Sequence, residues 1–176
     1  MGMTKNNNSS NYKLHEFLGS EEERQKLHNL YYDFFARSKP LDFQSRTLSD
    51  QKNKLENYFR HLTERSKIII ASQEDELIGF ICFDPDSKTL EIPHGEWETI
   101  NRKEMCEFVF AASKKFNRTV LPKIVGDIFQ LIKSKYNVKY IVGNVRRKHK
   151  KRQYIITCQK IFNFKIVEDF VYHEIP

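Results

Sequence analysis

The chain has 176 residues and a mass of 21.1 kDa, which is enough for one complete hydrophobic core and too little for two ordinary ones. Hydrophobic residues make up 39% of it, and its 14 Phe and 8 Tyr exclude a chain that is disordered throughout. The formal net charge of +7 favours polyanionic partners, a class that includes nucleic acids and phosphorylated cofactors.

The N-terminal segment, residues 1–11, is polar and of low complexity, so we predict a flexible leader followed by a single domain over residues 12–176. The leader contains no apolar segment that a signal peptidase could use. The longest apolar stretches, such as residues 77–83, fall far below the ~20 residues that a membrane helix needs. We therefore expect a cytoplasmic protein without a membrane span.

The first half of the chain predicts one strand and two helices. Residues 12–18 can form a strand, and Ser20 followed by Glu23 is a capping-box pattern that opens a helix ending near Arg37. A second helix is predicted over residues 48–64. In both helices the apolar residues recur at intervals of three and four, which is typical of a helix face that packs on a core.

After the second helix the apolar pattern changes to that of strands. Residues 66–72 and 76–83 predict an antiparallel hairpin around the polar turn 73–75. A brief extra strand is predicted at residues 89–92, and an irregular segment with the single tryptophan at residues 94–103.

The second half of the chain alternates strands and helices. Residues 105–112 predict a strand rich in Phe and Val, and residues 119–136 an amphipathic helix. A strand follows at residues 138–145, a helix at 150–162 and one final strand at 164–175.

The three cysteines, Cys82, Cys106 and Cys158, are far apart and surrounded by apolar residues. This arrangement matches neither a disulfide framework nor a CxxC metal knuckle, so we interpret them as reduced core residues. The six histidines show no ligand spacing, and no metal site is predicted.

The order β, α, α, β, β, β, α, β, α, β resembles that of the GNAT superfamily of N-acyltransferases. Residues 154–164, with the sequence YIITCQKIFNF, are similar to the family's late helix that ends in Gly-Phe, with Asn163 at the Gly position and Phe164 at the Phe position. Asn commonly replaces Gly in a left-handed helix cap. The resemblance implies an α/β fold with a mixed, mostly antiparallel sheet, splayed between strands 4 and 5 and covered by helices on both faces. Acetyl-coenzyme A would insert at the splay.

In the family, the fourth strand pairs with the pantetheine arm of the donor, and the following loop holds its pyrophosphate through an Arg/Gln-x-x-Gly-x-Gly/Ala pattern. The corresponding stretch here, residues 114–120, contains no glycine, whereas Lys115 and Arg118 can supply positive charge. The donor-binding residues that the resemblance implies are Phe110, Ala111, Ala112, Lys115, Asn117, Arg118, Thr119 and Val120.

Two residues are candidates for proton transfer. Glu107 interrupts an apolar strand where many family members carry a carboxylate, and it can act as a base for the attacking amine. The alternative is a carboxylate at a strand end that faces solvent. The family's tyrosine that protonates the leaving thiolate is replaced by Gln159, so either this role is vacant or Tyr154 takes it over with a different geometry.

A basic run occupies residues 146–152. Its cations, Arg146, Arg147, Lys148, Lys150, Lys151 and Arg152, can attract coenzyme A phosphates, nucleic acid or an acidic acceptor, or can simply be a solvated loop.

Two functions follow from these patterns. The first is transfer of an acetyl group from acetyl-coenzyme A to an amine of a small molecule or a protein. The alternative is a catalytically silent GNAT-like domain that binds nucleic acid or protein through the basic run. Such a domain would resemble virus-encoded members of the superfamily, found in the host cytoplasm or the virion.

Overall fold

The computed structural model describes residues 12–38, 47–86, 102–114, 120–144, 165–167 and 170–174. The leader, the strand predicted at residues 89–92, the helix predicted at 150–162 and most of the irregular segment 94–103 lie outside these residues. The elements in chain order are β1 (Lys13–Glu16), α1 (Glu21–Ser38), α2 (Leu48–Arg65), β2 (Lys67–Gln73), β3 (Glu76–Asp84), a 3-10 turn (Arg102–Glu104), β4 (Met105–Ser113), α3 (Val120–Tyr136), β5 (Tyr140–Asn144), β6 (Lys165–Val167) and β7 (Phe170–Glu174).

The strands form one seven-stranded sheet in the order β1-β2-β3-β4-β5-β7-β6. All neighbouring pairs are antiparallel except β4 and β5, which run parallel. The parallel pair is possible because α3 returns the chain to the starting end of β4 before β5 begins. This arrangement confirms the predicted mixed, mostly antiparallel sheet.

Helices cover both faces of the sheet, as predicted. On one face, α1 and α2 bury Leu27, Leu30, Tyr31, Phe59 and Leu62 against strand residues that include Ile68, Ile70, Phe80 and Cys82. On the other face, α3 buries Ile124, Val125, Ile128, Phe129 and Ile132 against Ile69, Ala71, Phe83 and Cys106, among others. Successive side chains of a strand point to opposite faces of the sheet, so β2 and β3 contribute residues to both cores. Their sequences are therefore continuous apolar runs.

The prediction of one final strand over residues 164–175 was wrong. The structure has two short strands there, β6 and β7, which pair with each other from Val167 opposite Phe170 to Lys165 opposite Tyr172. The two acidic residues Glu168 and Asp169 separate two apolar runs in the sequence. The two runs pair with each other, and β7 also pairs with β5, so both runs belong to the sheet.

Only one of the two hydrogen bonds of the capping box predicted for α1 is present. The Glu23 backbone N–H donates to Ser20 Oγ at 3.2 Å, as an N-cap requires. The Glu23 carboxylate does not complete the box, because it accepts from the Leu18 backbone N–H at 3.2 Å and lies 2.8 Å from His15 Nε2. The carboxylate therefore ties the start of α1 to β1.

The cysteines that the structure describes are core residues, as predicted. Cys82 and Cys106 are both buried and carry free thiols. Burial raises the pKa of both, that of Cys106 to about 12, so neither is a thiolate at neutral pH. Cys158 lies outside the described residues.

Candidate active site

The parallel pairing of β4 with β5 is short. Its register consists of Met105 with Tyr140, Cys106 with Ile141 and Glu107 with Val142. Beyond Glu107, β4 continues along β3 to Ser113, while β5 continues to Asn144 along β7. Within the part of the chain that the structure describes, the two strands therefore part at Glu107. This is the predicted splay between strands 4 and 5.

A β-bulge in β4 lies close to the point where the strands part. Phe108 pairs with Phe83 and Phe110 pairs with Cys82, so Val109 is an extra residue opposite two consecutive residues of β3. A bulge bends the strand that contains it and increases its twist. Val109 comes two residues after Glu107, so this bend lies close to the point where the pairing of β4 with β5 ends.

The peptide at the end of β4 shows which way the backbone faces. The Lys114 N–H donates to the Ile78 carbonyl of β3 at 2.9 Å. In a trans peptide the N–H and the preceding C=O point in opposite directions, so the Ser113 carbonyl points away from β3. We call this side of residues 108–113 the open edge of β4.

The direction of the backbone N–H and C=O groups differs among the three β4 residues that are predicted to contact the donor. Residues of a strand turn their N–H and C=O groups alternately to one neighbour and to the other. Ala111 therefore presents both groups to the open edge, as Ser113 does, whereas Phe110 and Ala112 turn theirs toward β3. Of the three, Ala111 alone is oriented to pair with a ligand in the splay.

The Phe110 side chain belongs to an aromatic cluster beneath α1 and α2. Its ring is stacked on that of Phe35, with centroids 5.8 Å apart and planes 2° apart, and lies 5.6 Å from that of Tyr31. The rings of Phe34, Tyr58 and Phe80 lie within 6.0 Å of it. Tyr31 donates its hydroxyl to the Leu55 carbonyl at 3.1 Å, and burial raises its pKa well above the usual value. This cluster fixes β4 against the helices from the α1 side.

Glu107 lies at the apex of the splay. It occupies the last register pair between β4 and β5, and it is the third residue of a nine-residue strand, so it is not at a strand end. It is partly buried. Its neighbours Cys106 and Phe108 face α3, so the Glu107 side chain is on the face that α1 and α2 cover.

A second carboxylate, which the sequence analysis missed, stands directly opposite Glu107. Asp84 of β3 pairs with Glu107 across the strands and shares its face. Like charges in such a pair repel each other, whereas an ammonium group near them would be attracted to both. The two carboxylates at the apex of the splay therefore favour the binding of a cationic amine.

The donor loop meets the start of α3. Lys115, Asn117, Arg118 and Thr119 lie outside the described residues, as does the side chain of Val120, the first residue of α3. The first turn of α3 contains no acidic residue. The backbone N–H groups of a helix start have no partner within the helix and carry partial positive charge, so they favour an anion.

Arg37 is a further site residue that the sequence analysis missed. It is in the last turn of α1, and its Nη2 donates to the Ser113 carbonyl at 2.6 Å. A basic residue in the last turn of a helix is a recognisable signal, but its partner, 76 residues away in the sequence, is not.

Several predicted features are not placed. Tyr154 and the cations of residues 146–152 lie outside the described residues, so their positions relative to the splay stay predictions. Among the residues that are described, no group of three or more His, Cys, Asp or Glu side chains could hold a metal ion. Within the same residues, no helix is long and apolar enough to cross a membrane.

Comparison with known proteins identifies the architecture. No protein-family model matches the chain, and no curated protein matches its sequence. Solved structures do match: the N-acetyltransferase PseH of Campylobacter jejuni has a TM-score of 0.52 and 15% identity over 93% of this chain and 98% of that chain. The fold is that of the GNAT acetyltransferases.

Two further matches support the GNAT fold. Aminoglycoside 6'-acetyltransferase type Ii has a TM-score of 0.58 and 13% identity, over 93% of this chain and 97% of that chain. The aminoglycoside acetyltransferase AAC(6')-Ib, solved in complex with coenzyme A and kanamycin, has a TM-score of 0.55 and 15% identity over 92% and 95%. At these identities the likeness is one of fold.

Proposed function

We propose that the protein transfers an acetyl group from acetyl-coenzyme A to an amine. The observation that supports this best is the splay, where β4 leaves β5 at Glu107 and turns the N–H and C=O of Ala111 to an open edge. An extended ligand arm with amide groups can pair with such an edge as an added strand does. The pantetheine arm of coenzyme A has this chemistry.

The phosphates of the donor would lie beyond the end of β4. The positive end of α3 supplies backbone N–H groups there, and Lys115 and Arg118 supply side-chain charge in place of the missing glycines. Asn117, Thr119 and Val120 complete the proposed donor loop. The net charge of +7 agrees with a polyanionic donor.

Glu107 is proposed as the base. The amine nitrogen attacks the thioester carbonyl carbon, the bond between carbon and sulfur breaks, and the amine proton passes to the Glu107 carboxylate directly or through water. Asp84, on the same face, helps to attract the cationic amine before it is deprotonated. Tyr154 is the proposed acid that protonates the departing thiolate.

The proposal is tested by measuring release of the coenzyme A thiol from acetyl-coenzyme A in the presence of a panel of primary amines. We expect the wild-type protein to release thiol in an amine-dependent manner. Glu107→Gln should slow that release about 100-fold or more and leave the affinity for acetyl-coenzyme A unchanged, because only proton transfer is lost.

Glu64→Gln is the matched control, since Glu64 is an exposed carboxylate of α2 and this change should have no effect. Equal rates for wild type and Glu107→Gln would remove Glu107 from the mechanism. Absence of amine-dependent release across the panel would contradict the proposed activity.

A second candidate function rests on the basic run at residues 146–152, in which six of seven residues are cationic. If the domain binds nucleic acid through this run, replacing Arg147, Lys148, Lys150 and Lys151 by Ala should weaken binding. It should also flatten the salt dependence, because each lost phosphate contact removes about 0.9 from the logarithmic slope. Binding that does not respond to salt would exclude this function.

A further inference from the structure

We propose that Arg37 is a positioning residue of the donor site, which sets the start of the donor loop by holding the Ser113 carbonyl on the open edge of β4. This inference rests on the proposed acetyl-coenzyme A function. Arg37 is exposed and lies in α1, well away from the donor loop in the sequence.

The peptide between Ser113 and Lys114 is held from both sides. On the β3 side its N–H donates to the Ile78 carbonyl at 2.9 Å, and the Lys114 ammonium forms an ion pair with Glu76. On the opposite side its C=O accepts from Arg37 Nη2 at 2.6 Å. Because the donor loop begins with Lys114, this peptide fixes the point and direction in which the loop leaves the sheet.

Among the strands that the structure describes, none pairs with the Ser113 carbonyl on the open edge. In a strand with neighbours on both sides, a carbonyl such as that of Ser113 accepts a hydrogen bond from an N–H of the adjacent strand. The described pairing of β4 with β5 ends at Glu107, six residues before Ser113. Arg37 donates to this carbonyl in place of a strand.

The guanidinium is itself held in place. Arg37 Nε donates to the Asp33 carbonyl in the preceding turn of α1 at 3.1 Å, while Nη2 reaches Ser113. The C-terminal end of a helix carries partial negative charge, which further stabilises a cation there. A lysine can make one of these hydrogen bonds but lacks the rigid planar fork that makes both.

The Arg37 guanidinium also places a positive charge beside the start of the donor loop. The Ser113 carbonyl points to the open edge, so the guanidinium that binds it lies on that side of β4, next to the start of the loop proposed to hold the donor phosphates. A glycine-free loop cannot wrap phosphate as closely as a glycine-rich one. Its exit from the sheet must then be set accurately, and Arg37 does this.

The experiment measures acetyl-coenzyme A affinity by titration calorimetry, and its Michaelis constant where turnover is found, for wild type, Arg37→Lys, Arg37→Gln and Arg60→Gln. Arg60 is the matched control because it is an exposed arginine of α2 whose Nη2 donates to Asn57 on the same helix, at 2.9 Å. We expect both Arg37 variants to bind the donor about tenfold more weakly, the size that loss of one charge-assisted hydrogen bond gives. The turnover number should be unchanged, and Arg60→Gln should match wild type.

Arg37→Lys separates positioning from simple attraction, since it keeps the charge and loses the fork. If it binds like wild type while Arg37→Gln is weakened, Arg37 acts as a diffuse charge and the positioning role is overturned. If both variants bind like wild type, the role is overturned while the donor site stands. If wild type itself does not bind acetyl-coenzyme A, the proposed function fails and this inference fails with it.

A second readout needs no donor. Amide hydrogen exchange at Lys114, followed by NMR, should be faster in Arg37→Lys than in wild type and in Arg60→Gln, because the same peptide loses its support on the open edge. Unchanged exchange at Lys114 would show that Arg37 does not hold this peptide, even if the variant binds the donor more weakly.

Discussion

Glu16 shows how one half-buried carboxylate connects two elements at the edge of the sheet. It accepts from the Tyr136 hydroxyl at 2.6 Å and forms an ion pair with Lys135, so β1 is bound to the last turn of α3. The hydrogen bond from Lys135 is the main cause that lowers the pKa of Glu16, and that from Tyr136 is the next. Desolvation acts in the opposite direction but does not prevail.

This shift predicts a pH dependence of stability. A carboxyl group whose pKa is lower in the folded state stabilises that state fully above its unfolded pKa, near 4.5, and loses this contribution as the pH falls through the folded pKa. Glu16→Gln should therefore lower the melting temperature most at pH 6–7. Its difference from wild type should shrink steadily as the pH is lowered toward 3.

Thermal melts of wild type and Glu16→Gln over this pH range test the prediction. Glu64→Gln, at an exposed position, is the control. A difference that stays constant or grows as the pH falls would mean that the Glu16 contacts do not stabilise the fold in this way.

At the residue scale, the sequence identifies residues that differ in polarity or charge from their neighbours in the chain. Glu107 stands out because it is charged within an apolar strand, and the structure places it at the apex of the splay. Asp84 and Arg37 could not be found in this way. Their importance depends on a cross-strand register and on a contact between α1 and β4, and neither leaves a local pattern.

The turn between β2 and β3 stores strain at the scale of an element. Glu74 and Asp75 have φ angles of 49° and 64°, in the left-handed region, and Gln73 pairs directly with Glu76 across the turn. Two consecutive positive φ angles in a two-residue hairpin loop define a type I′ turn, which strongly favours glycine at its second position. Glutamate and aspartate adopt this conformation at a cost.

Asp75→Gly should therefore stabilise the protein, because glycine adopts a positive φ without a steric penalty. A gain of about 0.5–1 kcal/mol would raise the melting temperature by roughly 1–4 °C in a domain of this size. Gln73→Gly is the matched control, and it should lower the melting temperature because Gln73 is in β2, where glycine weakens a strand. A fall in the melting temperature for Asp75→Gly would contradict the assigned turn.

Most elements could be predicted because their periodicities are strong. The stripes of α1, α2 and α3 and the apolar runs of β2, β3 and β4 follow directly from burial on one or both faces. The C-terminal hairpin was missed because a short run interrupted by two acidic residues fits one strand or two, and only the partners decide. The bulge at Val109 was missed for the same reason, since register is a property of two strands and not of one.

At the scale of the molecule, the sheet order, the splay between β4 and β5 and the helices on both faces form one framework. The open edge at Ala111, Glu107 at the apex and the Ser113 carbonyl that Arg37 holds all lie along β4, and Asp84 of β3 lies opposite Glu107. The net charge of +7 would attract any polyanion to the protein, so charge alone does not distinguish a donor site from general attraction. A shaped site must discriminate among polyanions.

We propose that the splay beside β4 binds acetyl-coenzyme A, and thermal melting tests this binding before any acceptor is known. A ligand at ~100 times its dissociation constant stabilises the folded state by about 2.7 kcal/mol, which for this domain predicts a rise of about 5–10 °C. ATP and dephospho-coenzyme A at equal concentration control for attraction to positive charge. We expect a rise with acetyl-coenzyme A that neither ATP nor dephospho-coenzyme A produces. The same rise with every polyanion, or none with millimolar acetyl-coenzyme A, would contradict a donor site in the splay.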